Sequence, residues 1–197
     1  LQAIATAKRL GAIVEVSDIR PETKEQVESL GGKFIEFKGD DSIKVEGGYV
    51  KNVSEDFLKK QQALITKHIS EADLVITTAL IPGRKAPVLI TEDMVKAMRM
   101  GSVIVDMAVE QGGNCVLSEI NKHVVKHGVT IIGEANLPSL LPLNASELYA
   151  KNISAFLTHL AKKDGFLWEL EEEITKGSLI VHKGLAVHPS VAQAVPA

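Results

Sequence analysis

Ala12-Ile-Val-Glu-Val-Ser-Asp18, entered from Gly11 and left through Ile19-Arg20-Pro21, is the stretch that decides the fold. Its β-branched run predicts a short strand. Upstream, Leu1, Ile4, Ala5 and Leu10 fall on or near one helical face, and Gly11 stops that helix. Downstream, Pro21 opens a second helix with acids in its first turn, ending at Gly31. Helix, strand, helix is the opening of an alternating α/β chain.

The alternation continues. Lys33 to Phe37 reads as a strand, and residues 38–53 as a long, polar, glycine-rich loop. A helix follows from about Ser54 to Ile69, with Phe57, Leu58, Leu64, Ile65 and Ile69 on its apolar side. Leu74-Val-Ile-Thr-Thr-Ala-Leu80 is apolar enough for a strand buried on both faces. Thr91 caps a short helix ending near Gly101, and strands follow at Ser102 to Met107 and Val129 to Ile132. Five strands in this rhythm predict a doubly wound parallel sheet of the Rossmann kind.

Past Asn136-Leu-Pro-Ser139 the pattern changes. Ala145 to Lys162 reads as a longer amphipathic helix with Leu148, Ile153, Phe156, Leu157 and Leu160 inward. Short β-like stretches follow near Phe166-Leu-Trp168 and over Gly177 to Val187, the latter a hairpin about Lys183-Gly184. Residues 1–138 are therefore expected to be a dinucleotide-binding domain, and 139–197 a connecting helix with part of an adjoining domain. The first helix has neither N-cap nor initiator Met, so the sheet's first strand and glycine turn are expected before Leu1.

Composition narrows the function. The 197 residues are 45% hydrophobic and carry a formal charge of −3, a balance that argues against nucleic acid as a partner. No apolar run approaches the roughly 20 residues of a membrane-spanning helix. The single cysteine, Cys115, excludes an internal disulfide, and the six histidines show no metal-ligand spacing with it. No nucleophile motif or P-loop is present.

Asp18 is the informative position. In a dinucleotide-binding unit an acid ends the second strand, roughly 20 residues after the glycines, and accepts the adenosine ribose hydroxyls. A carboxylate there repels the 2′-phosphate of NADP, which favours NAD. The plainer alternative is an acid capping the helix at Pro21. Arg20 is ambiguous: an arginine nearby can take a 2′-phosphate, or it can be a solvated loop charge. Thr77-Thr78-Ala79-Leu80 and Asp106-Met107-Ala108-Val109 end two further strands, where such sheets bind ligands. Both stretches are expected to line the cofactor groove unless they are ordinary loops.

Several blocks also match a known family. Lys24-Glu-Gln-Val-Glu-Ser-Leu-Gly-Gly-Lys-Phe34, Thr77-Thr-Ala-Leu-Ile-Pro-Gly83 with Ala86-Pro-Val-Leu-Ile-Thr91, Gly101-Ser-Val-Ile-Val-Asp106 through Gly112-Gly-Asn-Cys115, and Leu148-Tyr-Ala-Lys-Asn152 resemble the NAD(H)-binding subunit of proton-translocating NAD(P) transhydrogenase. The likeness covers essentially the whole chain and weakens after about residue 163. Alanine dehydrogenase shares the fold and versions of these loops. The insertion through Gly47-Gly-Tyr49, with Phe57-Leu-Lys-Lys-Gln61, and the segment after Asn136-Leu-Pro-Ser139 favour transhydrogenase.

The resemblance implies that Asp18, Ile19 and Arg20 meet the adenosine ribose, with Arg20 a neighbour of NAD rather than a phosphate clamp. It implies that Gly48 and Tyr49 tip a loop closing over nucleotide, and that Gln61 and Leu80, beside Thr78 and Ala79, touch it. It implies NAD(H) on this chain and NADP(H) on a partner domain, with hydride transfer coupled to proton passage through a membrane domain of the same enzyme. A homodimer is expected, peripheral to the cytoplasmic face of a bacterial inner membrane or on the matrix side of a mitochondrial one. The resemblance names no hydride-transfer residue here. The other readings are an alanine dehydrogenase and a non-enzymatic nucleotide-binding module.

Overall fold

A computed structural model describes residues 1–20, 22–36, 44–46, 49–51, 55–81, 83–163, 165–188 and 191, with 44–46, 49–51 and 55–61 described by their backbone alone. The chain forms two compact units, Leu1–Ala135 and Asn136–Ala197.

The first unit opens with α1 (Gln2–Arg9), β1 (Glu15–Val16), α2 (Thr23–Ser29) and β2 (Lys33–Phe34). Gly11 and Gly31 end the two helices at positive φ, as expected. β1 and β2 pair in parallel, with Glu15 opposite Lys33. Glu15 joins three elements: it accepts from Lys33 Nζ at 2.7 Å and meets His68 Nδ1 at 2.6 Å.

Within the stretch read as a long loop, β3 (Lys44–Glu46) and β4 (Tyr49–Lys51) pair antiparallel. Then come α3 (Glu55–Glu71), β5 (Leu74–Thr77), α4 (Glu92–Ala97) and β6 (Val103–Asp106). The Thr91 hydroxyl accepts from Met94 N, and Glu92 and Asp93 in the first turn oppose the helix dipole. α4 stops at Ala97, sooner than expected, because Met98 turns extended.

β7 (Lys122–Lys126) and β8 (Val129–Gly133) complete a four-stranded sheet of order β5-β6-β8-β7. β5, β6 and β8 run parallel, while β7 is an antiparallel edge strand that the sequence reading missed. The sheet is therefore mixed, within the expected α/β class. β7 turns into β8 through His127 and Gly128, both at positive φ (53° and 79°), the geometry of a two-residue hairpin.

Ile69 of α3 and Met94, Val95 and Met98 around α4 pack with Ile90, Ile104, Cys115, Val129 and Ile131 into the core of this sheet. This packing covers one face of β5. Leu74 and Ile76, on its other face, are 53% and 41% exposed, so β5 is not buried on both faces as expected.

The second unit contains α5 (Pro142–Leu160), β9 (Ala161–Lys162), β10 (Gly165–Phe166), α6 (Glu173–Ser178), β11 (Val181–His182) and β12 (Leu185–Ala186). α5 starts at Pro142, three residues before the predicted start, with proline in the first turn where its missing N–H costs nothing. The expected hairpin is present: His182 faces Leu185, and Lys183 and Gly184 take positive φ between them. The expected inward face of α5 is not packed within this unit. Leu160 is buried and Phe156 half-buried, whereas Leu148, Ile153 and Leu157 are exposed. Periodicity reveals an apolar face; it does not supply a surface to cover it.

Glu172 organises the unit's polar contacts. Its carboxylate accepts from Ile174 N (2.9 Å), Thr175 N (2.8 Å) and Thr175 Oγ1 (2.9 Å), capping α6, and meets His159 Nε2 of α5 at 3.1 Å. The Ile174 and Thr175 amides hold its carboxyl at about 2, against an ordinary 4.5.

Among the described residues no helix is long and apolar enough to cross a membrane.

Candidate nucleotide-binding site

Asp18 stands just beyond the carboxyl end of β1, in the turn leading to α2. It does not cap α2: no side-chain cap bond is made there, and the Thr23 hydroxyl instead donates to Arg20 O at 2.6 Å. The Asp18 carboxylate takes a fork from Arg20. Oδ1 accepts from Arg20 N at 2.9 Å and Arg20 Nε at 3.1 Å, and Oδ2 accepts from Arg20 Nη2 at 3.0 Å. Partial burial pushes the Asp18 carboxyl up, but these bonds and the Ile19 amide outweigh it and hold it below its usual range. The carboxylate is thus charged, fixed in orientation and 27% exposed. Ile19 beside it is exposed.

The second strand-end cluster is built from the loops after β5 and β6. Asp106, expected to line a groove, is fully buried, as is Ala108, and Val109 is buried too; of that stretch only Met107 is exposed. Asp106 cannot meet a ligand because its own loop consumes it. Oδ1 accepts from Thr77 Oγ1 (3.2 Å), Ala108 N (3.0 Å) and Asn114 N (3.1 Å). Oδ2 accepts from Cys115 N (2.9 Å) and Ser118 Oγ (2.7 Å). Burial pushes this carboxyl up; the donors more than offset it and leave it below the ordinary range. Gly113 makes the wrap possible. It sits at φ +79°, and a Cβ there would lie 2.8 Å from Asp106 Oδ2.

Asn114, also fully buried, ties this loop to the one after β5. Its Oδ1 accepts from Ala79 N at 3.0 Å, and its Nδ2 donates to Ala79 O (2.9 Å) and Pro87 O (2.8 Å). Its backbone carbonyl accepts from Leu89 and Ile90. The effect is to hold Thr78, Ala79 and Leu80 in place with Thr78 and Leu80 exposed and Ala79 half-buried.

The expected site residues thus form two groups at carboxyl ends of parallel strands, Asp18-Ile19-Arg20 after β1 and Thr78-Ala79-Leu80 after β5. No hydrogen bond or ion pair joins the two groups among the described residues. Gly48 lies outside the described residues, and Tyr49 and Gln61 are placed only as backbone in β4 and α3. Sequence reasoning missed Asn114 and misjudged Asp106. The available signal was a buried strand ending in an acid, followed within a dozen residues by Gly-Gly-Asn and a serine. Cys115 is buried, and burial raises its thiol, the setting of an unreactive side chain. No metal-holding group of His, Cys, Asp or Glu occurs among the described residues.

Comparison with known proteins places the chain in a family. The family described as alanine dehydrogenase/PNT, C-terminal domain, matches residues 1–189. An NAD(P) transhydrogenase alpha-subunit chain of Rhodospirillum rubrum is 54% identical over 196 residues, covering 97% of this chain and 51% of that protein. The crystal structure of a transhydrogenase from Sinorhizobium meliloti superposes with a TM-score of 0.69 at 42% identity, over 96% of this chain and 46% of the other. An L-alanine dehydrogenase structure gives a TM-score of 0.67 at 28% identity, over 98% of this chain and 48% of the other. The chain spans about half the length of the curated relatives it matches. It belongs to the alanine dehydrogenase/PNT C-terminal domain family, on the transhydrogenase alpha-subunit side of that family.

Proposed function

We propose that this chain binds NAD(H) and presents it for hydride transfer to NADP⁺ held on a partner domain, within a transhydrogenase whose reaction is coupled to proton translocation. The observation that carries the reading is Asp18: a charged, oriented and accessible carboxylate at the end of a parallel strand, in a chain of this family. Such a group suits a ribose diol as acceptor and disfavours a 2′-phosphate.

Bound NADH would supply the hydride; the residues here would bind and orient it. Asp18 would take the adenosine ribose with Ile19 and Arg20 around it, and Thr78, Ala79 and Leu80 would bear on the nucleotide from the other strand end. Gly48, Tyr49 and Gln61 belong to the same proposed set. Rigid placement matters because hydride transfer is steep in geometry, and the Asp106–Asn114 framework supplies it on one side. We further read residues 1–138 as the nucleotide domain and 139–197 as a connection into an adjoining domain. The complete protein would be a homodimer working with NADP(H)-binding and membrane domains, on the cytoplasmic or matrix face of its membrane.

The test uses the full-length subunit and nicotinamide fluorescence. NADH should bind, and Asp18→Ala should weaken it about tenfold or more, the low end for one hydrogen bond to a charged group. Unchanged affinity would remove Asp18 from the site. The likeness to L-alanine dehydrogenase supports a second reading, NAD reduction with alanine alone. Turnover that requires an NADP(H)-binding partner decides for transhydrogenase, and binding without turnover in either assay decides for a nucleotide-binding module.

A further inference from the structure

We infer that Arg20 is a specificity-determining residue: a guanidinium positioned to take an adenosine 2′-phosphate, which Asp18 keeps committed to itself. The inference rests on the proposed placement of the adenosine ribose at Asp18.

Three donors of Arg20 converge on one carboxylate. The backbone N and Nε reach Oδ1 at 2.9 and 3.1 Å, and Nη2 reaches Oδ2 at 3.0 Å. This forked geometry orients the guanidinium plane as well as attracting it. Asp18 is the one ion-pair partner of Arg20 among the described residues. The other charge felt by Arg20 is Glu22, an exposed acid two residues on that makes no bond to it. No described hydrogen bond uses Nη1, and the Arg20 side chain is 49% exposed, so an incoming phosphate oxygen can reach it from solvent.

Asp18 therefore acts twice against a 2′-phosphate. Its charge repels that group, and its two oxygens occupy Nε and Nη2, the edge an arginine offers to a phosphate. The same loading bears on NAD(H). Oδ1 accepts two bonds from Arg20 and Oδ2 one, so a ribose hydroxyl would meet a carboxylate already loaded by the arginine. If Asp18 is removed, Arg20 becomes an unpaired fork at the position where adenosine nucleotides differ. The substitution should then change which nucleotide binds, in addition to weakening NADH.

The experiment compares three full-length proteins: the parent, Asp18→Ala and Asp18→Ala/Arg20→Ala. Dissociation constants are measured for NADH, NADPH and 2′,5′-ADP, with thermal melting as the check on folding. In Asp18→Ala, NADPH and 2′,5′-ADP should bind about tenfold more tightly than to the parent, and the double variant should lose that gain. Absence of any gain in a folded Asp18→Ala, or a gain that persists in the double variant, overturns the assignment of Arg20. If Asp18→Ala does not fold, Asp18→Asn takes its place: it removes the charge, keeps an acceptor for Arg20, and should give a smaller gain of the same sign. No gain there overturns the assignment equally. A parent that binds no NADH refutes the nucleotide reading itself. That result is distinct from NADH binding that weakens without any gain for NADPH.

Discussion

Asp18 and Asp106 are both acids at the carboxyl ends of parallel strands, and they have opposite fates. Asp106 is fully buried and takes five hydrogen bonds, four from its own loop and one from the end of β5. Asp18 is accessible and takes its bonds from the two residues that follow it, chiefly Arg20 with the Ile19 amide beside it. All of Asp106's donors are uncharged, so its negative charge is solvated by backbone amides and hydroxyls in place of water. A carboxylate so saturated is structural. One with accessible oxygens and a removable partner can still take a ligand. Position at a strand end therefore does not separate the two roles; the supply of local donors does.

The comparison is broken most severely at Asp106. Asp106→Ala should cost about 3–5 kcal/mol in urea unfolding, because three backbone amides and two hydroxyls lose a buried partner at once. A loss below about 1 kcal/mol would show that the loops hold without it. Gly113→Ala comes next, at about 1–3 kcal/mol, from a left-handed backbone position and a Cβ placed 2.8 Å from Asp106 Oδ2. A wild-type melting curve would mean the wrap relaxes easily.

Asp18→Ala should lower stability by less than about 1 kcal/mol, the usual scale of an exposed ion pair. Its effect belongs to nucleotide affinity instead. A melting loss as large as that of Asp106→Ala would erase the distinction between the two acids.

The smallest effect sharpens the comparison from outside. Glu172 also accepts backbone amides, but at an exposed helix cap. Its folded carboxyl lies at about 2, below the ordinary 4.5, so its stabilisation is complete above pH 4.5 and is lost as pH falls toward 2. Glu172→Gln should flatten that stretch of the acid-unfolding profile of the second unit, followed by the fluorescence of Trp168. An unaltered profile would assign the acid sensitivity elsewhere.

Much of this fold was legible in local chemistry. Runs such as Val103-Ile-Val105 leave little choice but a buried strand, and Gly11, Gly31 and Thr91 mark helix ends by steric and hydrogen-bonding rules that act within a few residues. β7 escaped notice because Lys122-His-Val-Val-Lys126 is short, charged at both ends and on an edge, where lysine is common. Its turn, His127-Gly128, lacks the Asn-Gly or Asp-Gly that advertises a hairpin. Lys183-Gly184 lacks it as well, yet that hairpin was foreseen from the β-like residues on both sides. The candidate site was half legible. Asp18 follows from spacing along one βα unit. The burial of Asp106 does not, because it depends on residues 108–118 folding back on a strand end, and a strand-end acid looks the same in sequence whether it faces solvent or its own loop.

The Asp106 wrap has a consequence for hydrogen exchange. Loop amides ordinarily exchange quickly, since water reaches them without unfolding. The amides of Ala79, Ala108, Asn114 and Cys115 instead point at the buried carboxylate or at the Asn114 side chain. They should exchange as slowly as the central strands although they lie in loops. Any added protection that a ligand confers on the neighbouring exposed residues Thr78, Leu80 and Met107 could then be read against an internal standard a few residues away.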